Sequence, residues 1–514
     1  MSALLRVIKM TLNLEQNINK YQEIVSLVLE ENEVDNDQHQ EIGEILYILR
    51  EKILLDLASL SVNGKVEIQG SFVRRTYLID DDSFDLLLVL SRDDHAKLHN
   101  ILDSLENRLK KDRVRKNPIQ VKKITGKMPY LRIIAEGELI HLFVGYDFTT
   151  SENKMSIFDL IPLHSQYILT HMSEQQRKET LLMKKFCKTI GVYRSDLGAT
   201  GVNGYLCELL ILFYGTFIEA IQAICKWVPR TIIDLKKNKE VSEDVDELSV
   251  DLLTQYYPLY VPDPLSPKEN VAADVSLDIF HSLVGAANMF CFNPSIVFFT
   301  GDLCPHPSFD TLLTKIVDSG RTIVILSLNR DFQETEVCWQ KAIAMKEAFK
   351  GDITKNNYII DKIKPYVIDE EYGIMMSLHN PLPNMSLRRD GPDISSTESI
   401  QFIKHYNNHP DVLIGPYIEN HRWMVHFANR GLHVYDYIKH LVTENVKNLK
   451  LDNFSKLEIK EKVNILTIDE GLKNHYETYY EFADSFYLFV ERKPGWVCYF
   501  NNENVNNSNK IDEF

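Results

Sequence analysis

The 514 residues, 44% apolar and 25% charged, suffice for roughly three or four packed domains and exclude a disordered or fibrous chain. The net charge of −16 sets the global field against polyanions, so a grip on nucleic acid needs a local basic stripe. No apolar run reaches the roughly 18 to 20 residues of a membrane span, and "MSALLRVIKM" is too short for a secretory signal; the expectation is a soluble, intracellular chain with no membrane partner.

Residues 13 to 62 space apolar side chains at three and four around a charged face, which predicts two amphipathic helices. "KVEIQGSF" then alternates like a short strand, "FDLLLVLS" forms a buried strand, and "AKLHNILDSLENRLKKD" returns to helical period. "MPYLRIIAEG" and "ELIHLFVGYDF" make two more strands joined by a hairpin at Gly137. From about 160 to 228 the pattern is helical, including the long apolar "NGYLCELLILFYGTFIEAIQAICKWV". The acidic stretch from Glu240 to Asp251 is expected to be a solvated loop.

Beyond Phe299, "RTIVILSLNR" and "YGIMMSLHN" have strand character, while "TEVCWQKAIAMKEAFKG" is helical with a glycine stop. "WMVHFANRGLHVYDYIKHLV" mixes both periods, and the Asn-rich residues 501–514 are expected to be disordered. The seven cysteines, Cys187, Cys207, Cys225, Cys291, Cys304, Cys338 and Cys498, are scattered and mostly set in apolar runs, so they are read as buried thiols of a reducing compartment. His405 and His409 have the i, i+4 spacing of metal ligands, but Asn407, Asn408 and Pro410 argue against a long helix there.

The chemistry concentrates in "GSFVRRTYLIDDDSFDLLLVL", residues 70 to 90. A Gly-Ser turn offers N–H groups and a hydroxyl to phosphates, and carboxylates two apart on a strand share a face on which hard cations such as Mg²⁺ bind. This stretch resembles a nucleotidyltransferase signature. "GYLCELLILFYGTFIEAIQAICKWVPRTIIDL", with "PDPLSPKENVAADVS" and "PYIENHRWMVHF", is similar to the archaeal-type (class I) CCA-adding tRNA nucleotidyltransferases over about residues 60 to 440.

The resemblance implies an α+β, multidomain fold: a DNA polymerase β-like head with a mixed sheet at 1–150, a helical neck at 151–303, a body from 304–330 and 425–500, and a tail at 331–424. It implies a triphosphate held by Gly70, Ser71, Arg74, His164, Lys184 and Tyr193. The family's Asp-apolar-Asp falls on Ser83, Phe84 and Asp85, and its third aspartate falls on His141, so Asp85 is the sole retained carboxylate of the three. Asp82 is an odd number of positions from Asp85, which on a strand points it to the other face. A neutral imidazole is a poor Mg²⁺ ligand. At the family's base-reading arginine stands Glu269, which reverses the charge.

These departures predict a pseudoenzyme without a metal cofactor, kept as a binding or scaffold subunit for a structured RNA such as tRNA, a protein partner, or both. The alternative is an active enzyme adding CMP and AMP to tRNA 3′ ends with Mg²⁺, using Asp85 with Asp81 or Asp82. The basic run 109–123, "LKKDRVRKNPIQVKK", is the local stretch that could touch RNA, although such runs are more often solvated helix ends.

Overall fold

The computed structural model describes residues 18–79, 83–124, 129–146, 157–194, 201–241, 257–300, 307–330, 335–383, 386–429 and 431–492. The chain divides into two compact units, Met1–Leu303 with Gly495–Phe514, and Cys304–Pro494.

In the first unit, helices α1 (Ile18–Asn32) and α2 (Asn36–Ser59) precede strand β1 (Gly64–Gln69). Asp35 caps α2 by accepting from the Gln38 N–H, one of the donors a helix start leaves unpaired. Buried Ile45, Leu46, Leu49, Ile53 and Leu57 recur at three and four, so one stripe of α2 faces the sheet. A five-residue turn of helix, α3 (Gly70–Arg74), follows β1 and leads to β2 (Phe84–Leu90). Next come α4 (Leu98–Leu109), β3 (Gln120–Ile124), β4 (Tyr130–Ala135) and β5 (Glu138–Tyr146).

The strands form one mixed sheet in the order β1-β2-β5-β4-β3, with β2 and β5 parallel and the other pairs antiparallel. Helices α2 and α4 bury one face against Val66, Phe84, Leu86, Leu88, Leu131, Ile133, Ile140, Leu142 and Val144. Each such side chain contributes about 1.5–3 kcal/mol by leaving water, which fixes the strand register. Period two then sends Asp85, Leu87, His141 and Phe143 to the opposite face. The β4–β5 hairpin turns through Glu136 and Gly137, both at positive φ (55° and 91°), as a two-residue turn matching the strand twist requires.

The helical part of this unit holds α5 (Ile161–His171), α6 (Glu174–Thr189), α7 (Gly204–Tyr214), α8 (Phe217–Ile224) and a further helix at Leu277–Phe292. The apolar run read as helical forms two helices that part at Gly215, whose φ of +95° ends α7; Thr216 caps α8 through the Glu219 N–H, and the two helices meet at 96°. Phe186, Phe217, Phe290, Phe298 and Phe299 pack together at its centre. Among the described residues no single helix is long and apolar enough to cross a membrane.

The second unit contains an antiparallel four-stranded sheet, ordered Ile360–Val367, Glu371–Leu378, Thr322–Asn329 and Asn464–Thr467. It also contains a three-stranded sheet with Arg422–Ala428 between Ser386–Asp393 and Val412–Glu419. The expected glycine stop is absent: the helix Thr335–Lys355 runs through Gly351, which faces open space.

Cys187, Cys207, Cys291 and Cys338 are buried free thiols and Cys225 is partly exposed. Cys304, Cys498, residues 242–251 of the acidic stretch and residues 501–514 lie outside the described residues.

Candidate nucleotide site

Sheet register lines up one row of side chains on the face opposite α2 and α4. Gln69 pairs with Asp85, Asp85 with His141, His141 with Arg132, and Arg132 with Lys122. Directly paired residues share a face, so these five cross the sheet together. His141 is buried, its ring 5.4 Å from Tyr130 and 5.6 Å from Phe143. Beside the row on the same face, Leu87, Tyr130, Phe143 and Phe158 form an apolar cluster.

Gly70 lies against Asp85: it holds φ +73°, and a Cβ built there would stand 2.2 Å from Asp85 Oδ2. Ser71 follows it in α3, and Ser83 sits just before β2. Asp80, Asp81 and Asp82 lie outside the described residues. Among the described residues no group of three or more His, Cys, Asp or Glu side chains could hold a metal ion. The row itself carries one carboxylate beside an imidazole and a guanidinium, a donor set that does not fit a hard dication.

At its other end α3 enters a buried ionic network. Arg74 Nε donates to Glu208 Oε1 at 2.9 Å, and an Arg74 Nη donates to Ser165 Oγ at 3.1 Å. The Thr76 hydroxyl also donates to Glu208 Oε1. Lys184 Nζ donates to the Thr76 carbonyl at 2.6 Å and stands 3.8 Å from Glu208. Burial alone would raise the Glu208 carboxyl, but the charges of Arg74 and Lys184 and the hydrogen bonds from Thr76 and Arg74 hold it below the usual range. Tyr193 belongs here too, since a Cβ on Gly204 would stand 3.0 Å from Tyr193 Oη and 3.2 Å from Lys184 Nζ.

His164 on α5 bonds Asp263 Oδ2 through Nε2 at 2.6 Å and packs on the Tyr205 ring at 4.3 Å. Burial opposes the Asp263 charge, but His164 and the N–H groups of Leu265 and Ser266 outweigh it and keep that carboxyl below its usual range. Glu269 closes the same turn, its carbonyl accepting from the Asp263 N–H at 3.0 Å and its own N–H donating to Ser266 O at 2.8 Å.

The structure thus gathers Arg74, Lys184 and Tyr193 around one buried cluster and lines Asp85 and His141 along the sheet. It also adds residues that sequence reading missed: Gln69, Arg132, Tyr205, Glu208 and Asp263. Glu208 had a signal, a lone acid inside the apolar "GYLCELLILFYG".

Other candidates fall away from the chemistry. The helix Glu398–Tyr406 ends before His409, whose ring packs 5.6 Å from Phe427, so the His405 and His409 pair is part of a packed aromatic group. In the basic run, Lys110 pairs with Glu106, Arg115 with Glu41 and Glu44, and Lys123 with Asp103. Those acids cancel much of its field.

A family model for the second domain of tRNA nucleotidyltransferases matches residues 178–300. The CCA-adding enzyme of Methanocaldococcus jannaschii is 25% identical over 401 residues, covering 76% of this chain and 83% of that one. That of Pyrobaculum neutrophilum is 29% identical over 270 residues, covering 52% of this chain and 60% of the relative. Among solved structures, the Cid1 poly(U) polymerase with MgGTP bound has a TM-score of 0.42 at 14% identity, over 54% of this chain and 95% of that one. The family-model match falls on the helices that carry Lys184 and Glu208, and the Methanocaldococcus match spans three quarters of the sequence: over that length the chain is similar to the archaeal CCA-adding tRNA nucleotidyltransferases.

Proposed function

We propose that this chain is a catalytically degenerate member of that family, retained as a binding or scaffold subunit for a tRNA-like RNA end or within a protein–RNA complex. One observation carries the reading: β2 and β5 pair Asp85 with His141, so an imidazole stands beside the retained carboxylate where nucleotide addition needs a second acid. The buried framework around "GYLCELLILFYG" is intact, with Leu206, Cys207, Leu209, Leu210 and Ile211 all packed in the core. Loss confined to the chemistry, with the shape kept, fits selection for binding. The domain division into head, neck, body and tail belongs to the same proposal.

RNA is favoured as partner by the relatives, which are CCA-adding enzymes. The net charge of −16 and the ion pairs that engage Lys110, Arg115 and Lys123 of the basic run favour a protein sharing that work. The deciding experiment incubates the purified protein with tRNA lacking its 3′ end, Mg²⁺ or Mn²⁺, and labelled CTP and ATP. No incorporation is expected; incorporation that Asp85→Asn abolishes would establish the active enzyme instead.

A further inference from the structure

In the second unit the strand Ile360–Val367 lies at the edge of the four-stranded sheet, and period two sets Lys362, Lys364 and Tyr366 in a line along one of its faces. The helix Tyr480–Glu491 packs on that face, where Tyr366 shares an apolar cluster with Phe482, Phe486 and Phe489. Lys362 Nζ stands 5.8 Å from the centre of the Phe489 ring, and the Tyr366 ring is 5.7 Å from Phe482. Lys364 therefore lies between two contacts that fall about two turns apart on the helix.

Lys362 has an aromatic face to receive its charge. Lys364 has neither a hydrogen bond nor an ion pair among the described residues. Asp484 attracts its proton without pairing with it, and Lys362, two positions along the same face, repels it. An ammonium enclosed without a partner is costly, and giving up the proton relieves the cost. Burial first, and then Lys362, push the Lys364 ammonium below the usual lysine range, with Asp484 opposing them. At neutral pH more of this amine is uncharged than on a solvated lysine, and the uncharged amine is the nucleophile. The residue is still partly exposed, so a small reagent reaches it.

We propose that Lys364 is a modification site that takes an acyl group from a small thioester, its amine held between an edge strand and a helix with no carboxylate paired to it. The amine nitrogen attacks the thioester carbonyl, a C–N bond forms as the C–S bond breaks, and the departing thiolate takes the amine proton and leaves as a thiol. The amide product carries no charge, so acylation removes the cation that the enclosure disfavours. The site is independent of the nucleotidyltransferase-like head and of any chemistry there.

The full chain is incubated at pH 7 with S-acetyl-N-acetylcysteamine, a small acetyl thioester, and acetylation is followed lysine by lysine by mass spectrometry of its peptides. Lys364 should react about tenfold faster than Lys362, as a free-amine fraction about tenfold larger requires. In denaturing urea the two should react alike, since they share one short stretch of chain and differ only through the fold. Lys362→Ala removes the repelling charge and should slow Lys364, whereas Asp484→Asn removes the attracting one and should speed it. Acetylation of Lys364 no faster than of Lys362 in the folded chain overturns the proposal. So does a lead that persists in urea, or a Lys364 rate indifferent to both substitutions.

Discussion

Arg74 Nε lies 2.9 Å from Glu208 Oε1, and both side chains are shut away from water. This pair joins the turn after the Gly-Ser dipeptide to the apolar helix α7, and Lys184 on α6 completes it. The triphosphate-holding cations suggested by family resemblance are therefore already engaged by a protein carboxylate. Glu208→Gln should destabilise the first unit by about 3–5 kcal/mol, because it leaves Arg74 and Lys184 as uncompensated buried charges. Denaturant melts of wild type and variant measure it; a change under about 1 kcal/mol would mean that water reaches the network.

Gly70 and Asp85 form the other end of that connection. The +73° φ of Gly70 and the Asp85 carboxylate that a Cβ there would strike penalise any side chain twice, once in backbone strain and once in collision. Gly70→Ala should cost about 1–3 kcal/mol for the backbone alone, plus the collision. Asp85→Ala should relieve only the second part. A double-mutant cycle with a coupling of about 0.5–3 kcal/mol is expected, and strict additivity would show that the two residues do not touch.

What the sequence reveals depends on how local the cause is. The Gly137 hairpin is legible because a positive φ has a residue signature, and the β2 parity is legible because pleating alternates faces. The break at Gly215 is not, since apolar residues on both sides keep the helical period while the chain turns through 96°. The glycine at 351 misleads for the converse reason: an exposed helical glycine costs about 1 kcal/mol, which a 21-residue helix absorbs. The site divides in the same way. Asp85 and His141 can be placed by counting, whereas Glu208, 134 positions from Arg74, becomes visible only when the helices pack.

The contact between His164 and Asp263 sets a pH dependence. The folded-state carboxyl of Asp263 sits below its unfolded value, so it stabilises the fold fully above about pH 4, the unfolded aspartate range, and loses that contribution as pH falls through its folded value. Glu208 acts in the same direction. Acid unfolding followed by circular dichroism should steepen below about pH 4. Asp263→Asn should lower stability at neutral pH and flatten that acid limb; an unchanged limb would assign the acid sensitivity to other carboxylates.

Restoring acids at the strand positions tests the geometry of the row itself. Ser83→Asp with His141→Asp places two new carboxylates beside Asp85, which pairs directly with position 141. Without metal, like charges at this spacing repel and raise one another's pKa values, so the double variant should melt below wild type in EDTA. Mg²⁺ or Mn²⁺ should reverse the loss, because a ligand of the folded state at 100 times its dissociation constant adds about 2.7 kcal/mol. Wild type should show no such metal response in a thermal melt. If the double variant is equally indifferent to both ions, positions 83, 85 and 141 do not converge on one point, and the loss of catalysis needs a cause other than the missing carboxylates.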